Sequence, residues 1–267
     1  MSGCYVIRHS DGLRVGRRGR PPMKEEFIAC RRCPLRNLRT FSINTDAEID
    51  FIQSFKKGEL DVEVGGEILA ESRRVGELYT LLFGMAFRYR TLSDGRRQIL
   101  NFLFPGDLIG MQEQIAIDSP HGVEALSAVK LCIFPAERLW DLYRAHPQLG
   151  YDITWLTAHE EHIVDDNLLS VGRRTASERM AMLLIHIVKR AEAAGLSEEG
   201  SVPFPITQQH IADALGLSLV HTNKTLRRLE KLGLHTLENN RLRLIKPATL
   251  KRMADYYSTP LRPRPLL

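Results

Sequence analysis

The chain has 267 residues, of which 43% are hydrophobic, 26% are charged and 7% are aromatic, a composition typical of a globular protein of about two domains. Its four cysteines are too few for a disulfide scaffold, and no run of roughly 20 uncharged apolar residues provides a membrane-spanning helix. These features exclude collagen, a secreted disulfide-rich protein and a membrane protein, and they favour reduced thiols in a cytoplasm.

The net charge of +5 is distributed unevenly along the chain. Residues 172–267 carry 16 Lys and Arg against 8 Asp and Glu, a net charge of +8. Residues 1–22 carry a net charge of +4, whereas residues 23–171 carry −7. A basic C-terminal third attached to an acidic body is typical of a nucleic-acid-binding module joined to a second domain. A solvated basic face would have the same composition, so charge alone leaves both interpretations open.

The first 22 residues are predicted to form a basic, disordered arm. Their twin arginine, Arg17-Arg18, has no apolar segment after it, and Pro21-Pro22 ends the stretch. A secretion signal requires such an apolar segment. We therefore expect no secretion signal here, and we place the first folded domain from residue 23 onward.

Residues 23–147 are predicted to form a domain that is mostly β-sheet. Thr45 and Glu48 form a capping-box pattern, which predicts a short helix ending at Gly58. From Gly58 to Pro135, turn signals recur roughly every 8 to 11 residues, the spacing of short antiparallel strands. The segments with strand character are residues 79–83, 86–90, 99–103 and 129–134. This pattern favours a jelly-roll or similar closed β architecture.

A long helix is predicted for residues 148–172. Apolar residues recur in it near the 3.5-residue spacing of a coiled-coil seam. They are Leu149, Ile153, Leu156, Ile163 and Val171. We favour a second copy of the chain as the partner of this seam, which gives a two-fold dimer. The alternative packs the helix against its own domain.

A second domain is predicted for residues 173–250, followed by a C-terminal tail over residues 251–267. Thr175 and Glu178 form another capping box, and the apolar residues of the helix that they begin face a core until Gly195 ends it. The domain therefore begins with an amphipathic helix.

The most informative stretch has the pattern of a helix-turn-helix with a wing. Thr207 is the predicted N-cap of a first helix, Gly216 occupies the turn, and Ser218 is the N-cap of a second helix. Leu237–Leu244 alternates around Asn239-Asn240, as in a β-hairpin. Together with the basic charge, these signals predict a DNA-binding domain.

The chain resembles the CRP/FNR superfamily of bacterial transcription regulators over about residues 30–247. Three features carry the resemblance: the block Pro105–Gly110, the strand end Cys132–Pro135 before the long helix, and the helix-turn-helix with its wing. The resemblance implies an α+β fold with a cyclic-nucleotide-binding-type β-roll, a long dimerisation helix and a C-terminal winged helix-turn-helix.

The function that this resemblance implies is a homodimeric, sequence-specific DNA-binding transcription regulator in the cytoplasm. Its β-roll would control its DNA-binding domain by shifting the population between DNA-competent and incompetent dimers. The expected partners are double-stranded DNA, a second copy of the chain and RNA polymerase, with no membrane.

The resemblance also places the DNA contacts. The base-reading positions in the family's register are Val220, His221, Asn223 and Lys224. Family members usually have Glu at the first and Arg at the last of these, so the operator should differ from the standard half-site. The other expected DNA-binding residues are Thr207, Gln208, Ser218, Arg227, Arg228 and Arg241. Arg227 and Arg228 fit a solvated helix face equally well.

Cyclic-nucleotide binding is not expected. Members that bind cyclic AMP hold the cyclic phosphate with an Arg-Ser pair in the loop after the Pro105–Gly110 block. His121 and Gly122 occupy the corresponding positions here. A cyclic phosphate would therefore lose its bidentate cation and its hydroxyl donor.

The cysteines match part of the iron-sulfur site of the FNR members, which hold a [4Fe-4S] cluster with four thiolates. Cys30, Cys33 and Cys132 match three of these positions, but Arg39 stands at the remaining one. The cluster thus lacks a ligand unless Cys4 supplies it. We expect no cofactor and keep the cluster as the alternative.

Each thiol also has an interpretation without a cluster. Cys132, in an apolar strand, is a small buried hydrophobe. Cys30 and Cys33 form a CxxC pair that suits a redox or metal role. The arginines expected to lower its thiol pKa are Arg31, Arg32 and Arg36.

The rival functions are an enzyme and a protein-interaction module that does not bind DNA. His159 and His162 resemble part of a zinc-protease motif, but that motif needs its second His at position 163, which is Ile. No phosphate-binding glycine loop or nucleophile elbow is present, so we predict that the protein is not an enzyme. The histidines are instead expected to be an exposed pair.

Overall fold

The structure, a computed structural model, describes residues 27–73, 75–114, 118–257 and 263–267. The predicted basic arm, residues 1–22, and with it Cys4, lie outside the described residues. Among the helices of the described ranges, none is long and apolar enough to cross a lipid bilayer.

Two four-stranded antiparallel sheets form the body of the first domain. Its strands are β1 (Gly58–Val62), β2 (Glu67–Leu69), β3 (Glu77–Phe83), β4 (Ala86–Thr91), β5 (Arg97–Leu103), β6 (Leu108–Ile109), β7 (Gly122–Ala125) and β8 (Val129–Pro135). One sheet has the order β1-β8-β3-β6 and the other the order β2-β7-β4-β5. The four predicted strand segments coincide with β3, β4, β5 and β8, so the predicted β-roll is confirmed.

Apolar side chains from both sheets fill the space between them. Leu81, Val123 and Leu131 are fully buried there. Gly84 turns the chain from β3 into β4 with a φ of +85°, and a Cβ at this position would lie 2.3 Å from the carbonyl oxygen of Ala128. Glycine is therefore required at this turn by both backbone conformation and space.

The predicted capping box begins the first helix, α1 (Asp46–Phe55). Thr45 N donates to Glu48 Oε2 at 2.7 Å, and Glu48 N donates to Thr45 Oγ1 at 3.3 Å. The helix ends at Phe55 and not at Gly58 as predicted. The reason is that Gly58 already pairs with Ile133 in the β1–β8 ladder, so the intervening residues must leave the helix.

The long helix forms as predicted but uses its apolar residues differently. A short helix, α2 (Leu139–Ala145), precedes α3 (Pro147–Arg173). Leu149, Ile153 and Leu156 are buried in a cluster with the first domain of their own chain. Their assignment to an intermolecular seam was therefore wrong. Spacing alone cannot distinguish a seam from a stripe that packs on its own domain.

The second domain consists of four helices and a three-stranded sheet. The helices are α4 (Ala176–Ala193), α5 (Gln208–Leu215), α6 (Leu219–Lys231) and α7 (Pro247–Met253), and the strands are β9 (Val202–Pro203), β10 (His235–Glu238) and β11 (Arg241–Leu244). The sheet has the order β10-β11-β9. The predicted domain end at residue 250 falls inside α7. Apolar side chains of α4 form the centre of the domain's core.

The two domains pack directly against each other. Phe87, Phe102 and Phe104 of the β domain belong to the same apolar cluster as the core of the second domain. The tail returns to the first domain, where Arg264 N donates to Thr40 O at 2.8 Å and Leu266 and Leu267 are buried. The predicted tail is therefore a packed part of the structure over residues 263–267.

Candidate nucleic-acid interface

The helix-turn-helix has the caps and the turn that were predicted. Thr207 Oγ1 accepts from His210 N at 3.2 Å, and Ser218 Oγ accepts from His221 N at 3.3 Å. Gly216 ends α5 with a φ of 62°, in the left-handed region that glycine adopts without a Cβ penalty. These contacts set the angle at which α6 leaves the turn.

Helix α6 is anchored by one face and presents the other to solvent. Its inner side is made of four buried residues, Thr222, Thr225, Leu226 and Leu229. Ala212 of α5 is 3% exposed and small enough for the two helices to approach closely. The outer face of α6 therefore remains exposed, as it must be for a helix to enter the major groove of DNA.

Three of the four predicted base-reading residues lie on this open face. Val220 is 79% exposed, and His221 and Lys224 are also exposed. Asn223 is half-buried, and its Oδ1 is buried without a hydrogen-bond partner among the described residues. The structure thus brings Val220, His221 and Lys224 together at the start of α6, with Asn223 at the edge of that face.

Cations extend the exposed surface along α6. Arg227 and Arg228 are exposed, and neither forms an ion pair within the described ranges. Thr207 and Gln208 are exposed at the start of α5. The surface therefore combines groups that can contact base edges with free cations that can contact phosphates.

Arg241 differs from the other predicted DNA-binding residues because its guanidinium is already engaged. Its Nε and Nη2 donate to Ser201 Oγ at 2.9 Å and to Ser201 O at 3.0 Å. Its Nη1 lies 3.1 Å from Glu198 Oε2. In this arrangement Arg241 joins β11 to the segment before β9.

The predicted hairpin is present as β10 and β11. Asn239 and Asn240 connect the strands with φ values of 51° and 56°, the left-handed conformation of a two-residue hairpin turn. Arg243 is exposed on β11 and was missed by the sequence analysis. Strand alternation places it on the same side as Arg241, and that signal was sufficient to find it.

A polar junction fixes the helix-turn-helix to the β domain. Arg97 Nε of β5 lies 3.2 Å from Asp213 Oδ2 of α5, and Arg97 Nη1 lies 3.1 Å from Glu124 Oε2. Gln98 Nε2 donates to Ala214 O at 3.1 Å. The pairs join residues far apart in sequence, so local patterns did not reveal them.

A second contact between the domains is centred on Asp107 of the Pro105–Gly110 block. Arg190 Nη2 of α4 lies 2.5 Å from Asp107 Oδ2, and Arg264 of the tail pairs with Oδ1 of the same carboxylate. Burial acts to raise the pKa of Asp107, but the two guanidinium groups and the N–H of Phe104 outweigh it and hold the pKa below its usual value.

The residues at the positions of the cyclic-phosphate pair do not form an anion clamp. His121 is buried, and burial together with the Arg88 and Arg90 charges lowers its pKa to about 3, so its ring is neutral at pH 7. A Cβ on Gly122 would lie 2.4 Å from the Tyr89 ring. Neither position therefore offers a cation or room for a hydroxyl side chain.

The three cysteines of the described residues lie in one region. Cys30 and Cys132 are buried in the same apolar cluster, Cys33 packs against it, and all three are free thiols. In the described ranges, however, no group of three or more His, Cys, Asp or Glu side chains is placed to hold a metal ion. The described ranges thus hold three of the four thiolates of a [4Fe-4S] cluster, and Cys4, the possible fourth ligand, lies outside them.

The prediction that arginines lower the pKa of the CxxC thiols was wrong for Cys30. Burial raises its pKa, and this effect outweighs the nearby charges of Lys56 and Arg36. Arg31 instead pairs with Asp46 and Asp50. Burial also raises the pKa of Cys132 to about 12, consistent with a small buried hydrophobe.

The histidine pair on α3 was predicted to be exposed, and this is wrong for His159. Its ring stacks on Trp155 with centroids 4.9 Å apart, and burial lowers its pKa to about 4. His162 is exposed. Glu160 between them points to the β domain, where it pairs with Arg88 at 3.2 Å and accepts a hydrogen bond from Asn101.

Two family models match the chain, one for each domain. The model described as cyclic nucleotide-binding domain matches residues 59–146, and the model described as Crp-like helix-turn-helix domain matches residues 178–253. Their order and positions agree with the β domain and the helix-turn-helix domain of the structure.

Relatives of known role are similar over most of the chain. The nitrogen fixation regulation protein FixK of Bradyrhizobium diazoefficiens is 29% identical, over 84% of this chain and 93% of its own length. The transcriptional activator protein FnrL of Cereibacter sphaeroides is 27% identical, over 82% of this chain and 84% of its own length.

Solved structures share the fold. The structure of FixK2 from Bradyrhizobium japonicum superposes with a TM-score of 0.67 at 26% identity, covering 76% of this chain and 98% of that protein. A CRP/FNR-family transcriptional regulator from Thermus thermophilus superposes with a TM-score of 0.61 at 19% identity, covering 75% of this chain and 100% of its own. The latter likeness is one of fold.

Proposed function

Because the chain belongs to the CRP/FNR superfamily of DNA-binding transcription regulators, a family without enzymatic activity, we propose that it acts as a homodimer on a pseudo-palindromic operator. Two recognition helices related by a two-fold axis would read half-sites about one helical turn apart. The observation that carries this proposal is the exposed start of α6, with Val220, His221 and Lys224 free and the cations Arg227 and Arg228 beside them.

The proposed dimer interface is the outer face of α3. Tyr151, Leu168 and Leu169 are 55%, 70% and 50% exposed on this helix, and Ala158 is exposed between them. Tyr151, Ala158 and Leu168 are 7 and 10 residues apart, close to multiples of the 3.5-residue spacing of a helix seam, and Leu169 flanks Leu168. This face lies opposite the buried residues Leu149, Ile153 and Leu156, so the helix can pack on its own domain and on a second copy at once.

Each predicted reading residue has a chemical role in the proposal. Lys224 would contact guanine O6 and N7, His221 would donate to a base edge, and Val220 would contact a thymine methyl group. Asn223 would pair with adenine if its side chain turned outward. Thr207, Gln208 and Ser218 at the two helix starts, with the exposed arginines of α6 and the wing, would contact phosphates.

The signal that controls DNA binding is proposed to be neither a cyclic nucleotide nor an iron-sulfur cluster. The neutral ring of His121 and the closely packed Gly122 do not suit a cyclic phosphate. The thiols of Cys30, Cys33 and Cys132 do not complete a four-thiolate set. The protein would act in the cytoplasm, with RNA polymerase as a partner, and the name of the relative FnrL, a transcriptional activator protein, favours activation.

DNA binding is tested by selecting a preferred duplex from a random pool and measuring its affinity at several salt concentrations. We expect the selected sequence to be a two-fold repeat, and the logarithm of the affinity to fall linearly with the logarithm of salt concentration, because phosphate contacts release counterions. No enrichment and no salt dependence would instead favour a protein-interaction module.

The dimer is tested by sedimentation of the full chain and of a Leu168→Glu, Leu169→Glu variant. We expect the unaltered chain to be a dimer and the variant a monomer, because the charges would be buried against the partner helix. A Leu232→Glu variant, which alters an exposed leucine beyond α6, is the matched control and should remain dimeric. A dimer that survives both changes on α3 would rule out this interface.

A further inference from the structure

A cavity of about 470 Å³ lies where α3, α4 and the C-terminal tail meet the β domain. We call it the junction cavity. Its size is within the range of pockets that hold small organic molecules. None of the apolar residues that fill the space between the two β sheets lines it. It is therefore separate from the interior of the β-roll.

The charge of the junction cavity is positive. Four cationic side chains line it, Arg39, Lys189, Arg190 and Arg264, against one carboxylate, Asp166. His159 and His186 also line it, but burial lowers the pKa of each to about 4, so both rings are neutral at pH 7. The excess of positive charge therefore comes from the lysine and arginine side chains.

Part of this charge lacks a partner within the described residues. Arg190 and Arg264 share the single carboxylate of Asp107, which leaves an excess of one positive charge. The Nε of Arg264 is buried and has no hydrogen-bond acceptor in the described ranges. Arg39 is exposed and forms no ion pair there. An anion in the cavity would supply the missing acceptor.

The remaining walls of the cavity are rich in aromatic rings. They include Phe41, Phe104, Trp155, Tyr256 and Tyr257. The ring of Tyr256 lies 5.5 Å from Lys189 Nζ, and its hydroxyl accepts from the same ammonium group at 2.8 Å. Aromatic walls favour a flat ligand that can stack, and the ammonium and guanidinium groups favour one with a carboxylate.

We propose that the junction cavity is a binding site for a small aromatic carboxylate. The ring stacks among the aromatic walls, and the carboxylate accepts hydrogen bonds from Arg39, Lys189 or the free Nε of Arg264. The walls come from the β domain, from α4 of the DNA-binding domain and from the tail. A bound ligand therefore contacts both domains and changes how they pack against each other.

The junction cavity and the proposed dimer face use neighbouring sides of α3. The residues of α3 that line the cavity are Trp155, His159, His162, Ile163 and Asp166. The proposed dimer face uses Tyr151, Ala158, Leu168 and Leu169. Since successive residues of an α-helix are turned by about 100°, the two sets are centred roughly 90° apart around the helix, with Trp155 and His162 one turn from Tyr151 and Ala158. A partner helix on the dimer face would therefore lie beside the cavity at Trp155 and His162, and away from His159 and Ile163.

Isothermal titration calorimetry on the full chain, without DNA, tests the proposal with three probes. We expect 2-naphthoate to bind saturably at one molecule per chain. The neutral isostere 2-naphthamide and the ring-free anion acetate should bind at least about tenfold more weakly, because each lacks one of the two recognised features. Absence of saturable naphthoate binding, or equal binding of the amide, would overturn the proposal.

Variants locate the binding site. Lys189→Gln and Arg39→Gln should each weaken naphthoate binding about fivefold or more, because each removes a cation that lines the cavity. The matched controls are Lys251→Gln and Arg32→Gln. Lys251 Nζ lies 5.9 Å from the centroid of the Tyr256 ring, but neither Lys251 nor the exposed Arg32 lines the cavity. If the control variants weaken naphthoate binding as much as the lining variants do, the ligand binds elsewhere. The same conclusion follows if neither lining variant weakens binding.

Discussion

Arg97 of the β domain and Asp213 of the helix-turn-helix form an ion pair, with 3.2 Å between Nε and Oδ2. The Arg97 guanidinium also lies over the Phe87 ring, 4.8 Å from its centroid, and pairs with Glu124. Asp213 accepts a second hydrogen bond, from Gln209 of its own helix. This small network holds the DNA-binding domain against a strand of the β-roll.

Replacing Arg97 is expected to destabilise the packed arrangement of the two domains. Arg97→Ala should lower the free energy of unfolding by about 1 to 2 kcal/mol, because it removes an ion pair and leaves two partly buried carboxylates without their cation. Its coupling with Asp213→Asn in a double-mutant cycle should be about 0.5 kcal/mol or more. Denaturant unfolding measures both quantities.

The neighbouring Arg96 provides the control for this prediction. It is exposed and pairs with Asp94 in the same turn, so Arg96→Ala should change the unfolding free energy by less than about 0.5 kcal/mol. Additive effects of the Arg97 and Asp213 substitutions would show that the ion pair does not join the domains energetically.

The Asp107 carboxylate is expected to be the most sensitive buried group. Asp107→Asn should cost about 3 to 5 kcal/mol, because it leaves the Arg190 and Arg264 charges buried without their counter-ion. Asp141→Asn, at an exposed helix position, should have almost no effect. Thermal and denaturant unfolding at neutral pH test the comparison, and a small effect of Asp107→Asn would contradict the assigned pairing.

The stabilisation by Asp107 should disappear in acid. Its folded-state pKa lies below the value of 3.8 for an unperturbed aspartate, so its ionised form stabilises the fold at all higher pH values. The contribution is lost as pH falls through 3.8 towards the folded-state pKa. The stability difference between the unaltered chain and Asp107→Asn should therefore be constant from pH 5 to 7 and shrink below about pH 4.

Lys224 is expected to contribute to sequence preference. Lys224→Ala should weaken binding to the selected operator by about 1 to 3 kcal/mol and relax the preference at one base pair, while random DNA loses little. Lys231→Ala, at the end of the same helix, is the control and should weaken both complexes equally. Equal losses for Lys224→Ala on operator and random DNA would identify Lys224 as a phosphate contact.

The thiols are expected to react at different rates. Burial raises the pKa of Cys132 to about 12, so its reactive thiolate is scarce at neutral pH, and iodoacetamide should modify it at least about tenfold more slowly than the half-buried Cys33. Peptide mass spectrometry after timed labelling measures both rates, and the difference should vanish in denaturant. Iron near four atoms per chain in protein purified without oxygen would contradict the proposed absence of a cluster.

Local sequence signals were sufficient for the secondary-structure elements and for the caps and the turn of the helix-turn-helix. The capping boxes at Thr45 and Thr175, the turn at Gly216 and the Asn239-Asn240 hairpin each depend on residues within a few positions of one another. Such interactions act over one or two turns of chain, so they can be read from the order of residues. The reading positions at the start of α6 were instead placed by the resemblance to the family.

Tertiary packing decided what the same residues contact. The apolar stripe of α3 had two possible partners, and the position of the β domain determined that Leu149, Ile153 and Leu156 pack on their own chain. The pKa of Cys30 depended on burial, which the adjacent arginines did not indicate. Both outcomes depend on surfaces contributed by distant parts of the chain.

The order of domains, the helix-turn-helix and the resemblance to the CRP/FNR superfamily could be predicted from the sequence alone, because they depend on short-range periodicity and motifs. The Arg97–Asp213 pair, the two ion pairs of Asp107 and the junction cavity became evident only from the folded arrangement of the chain. Each of these brings together side chains separated by 80 residues or more. Electrostatic and packing energies depend on distance in space, and the fold sets that distance.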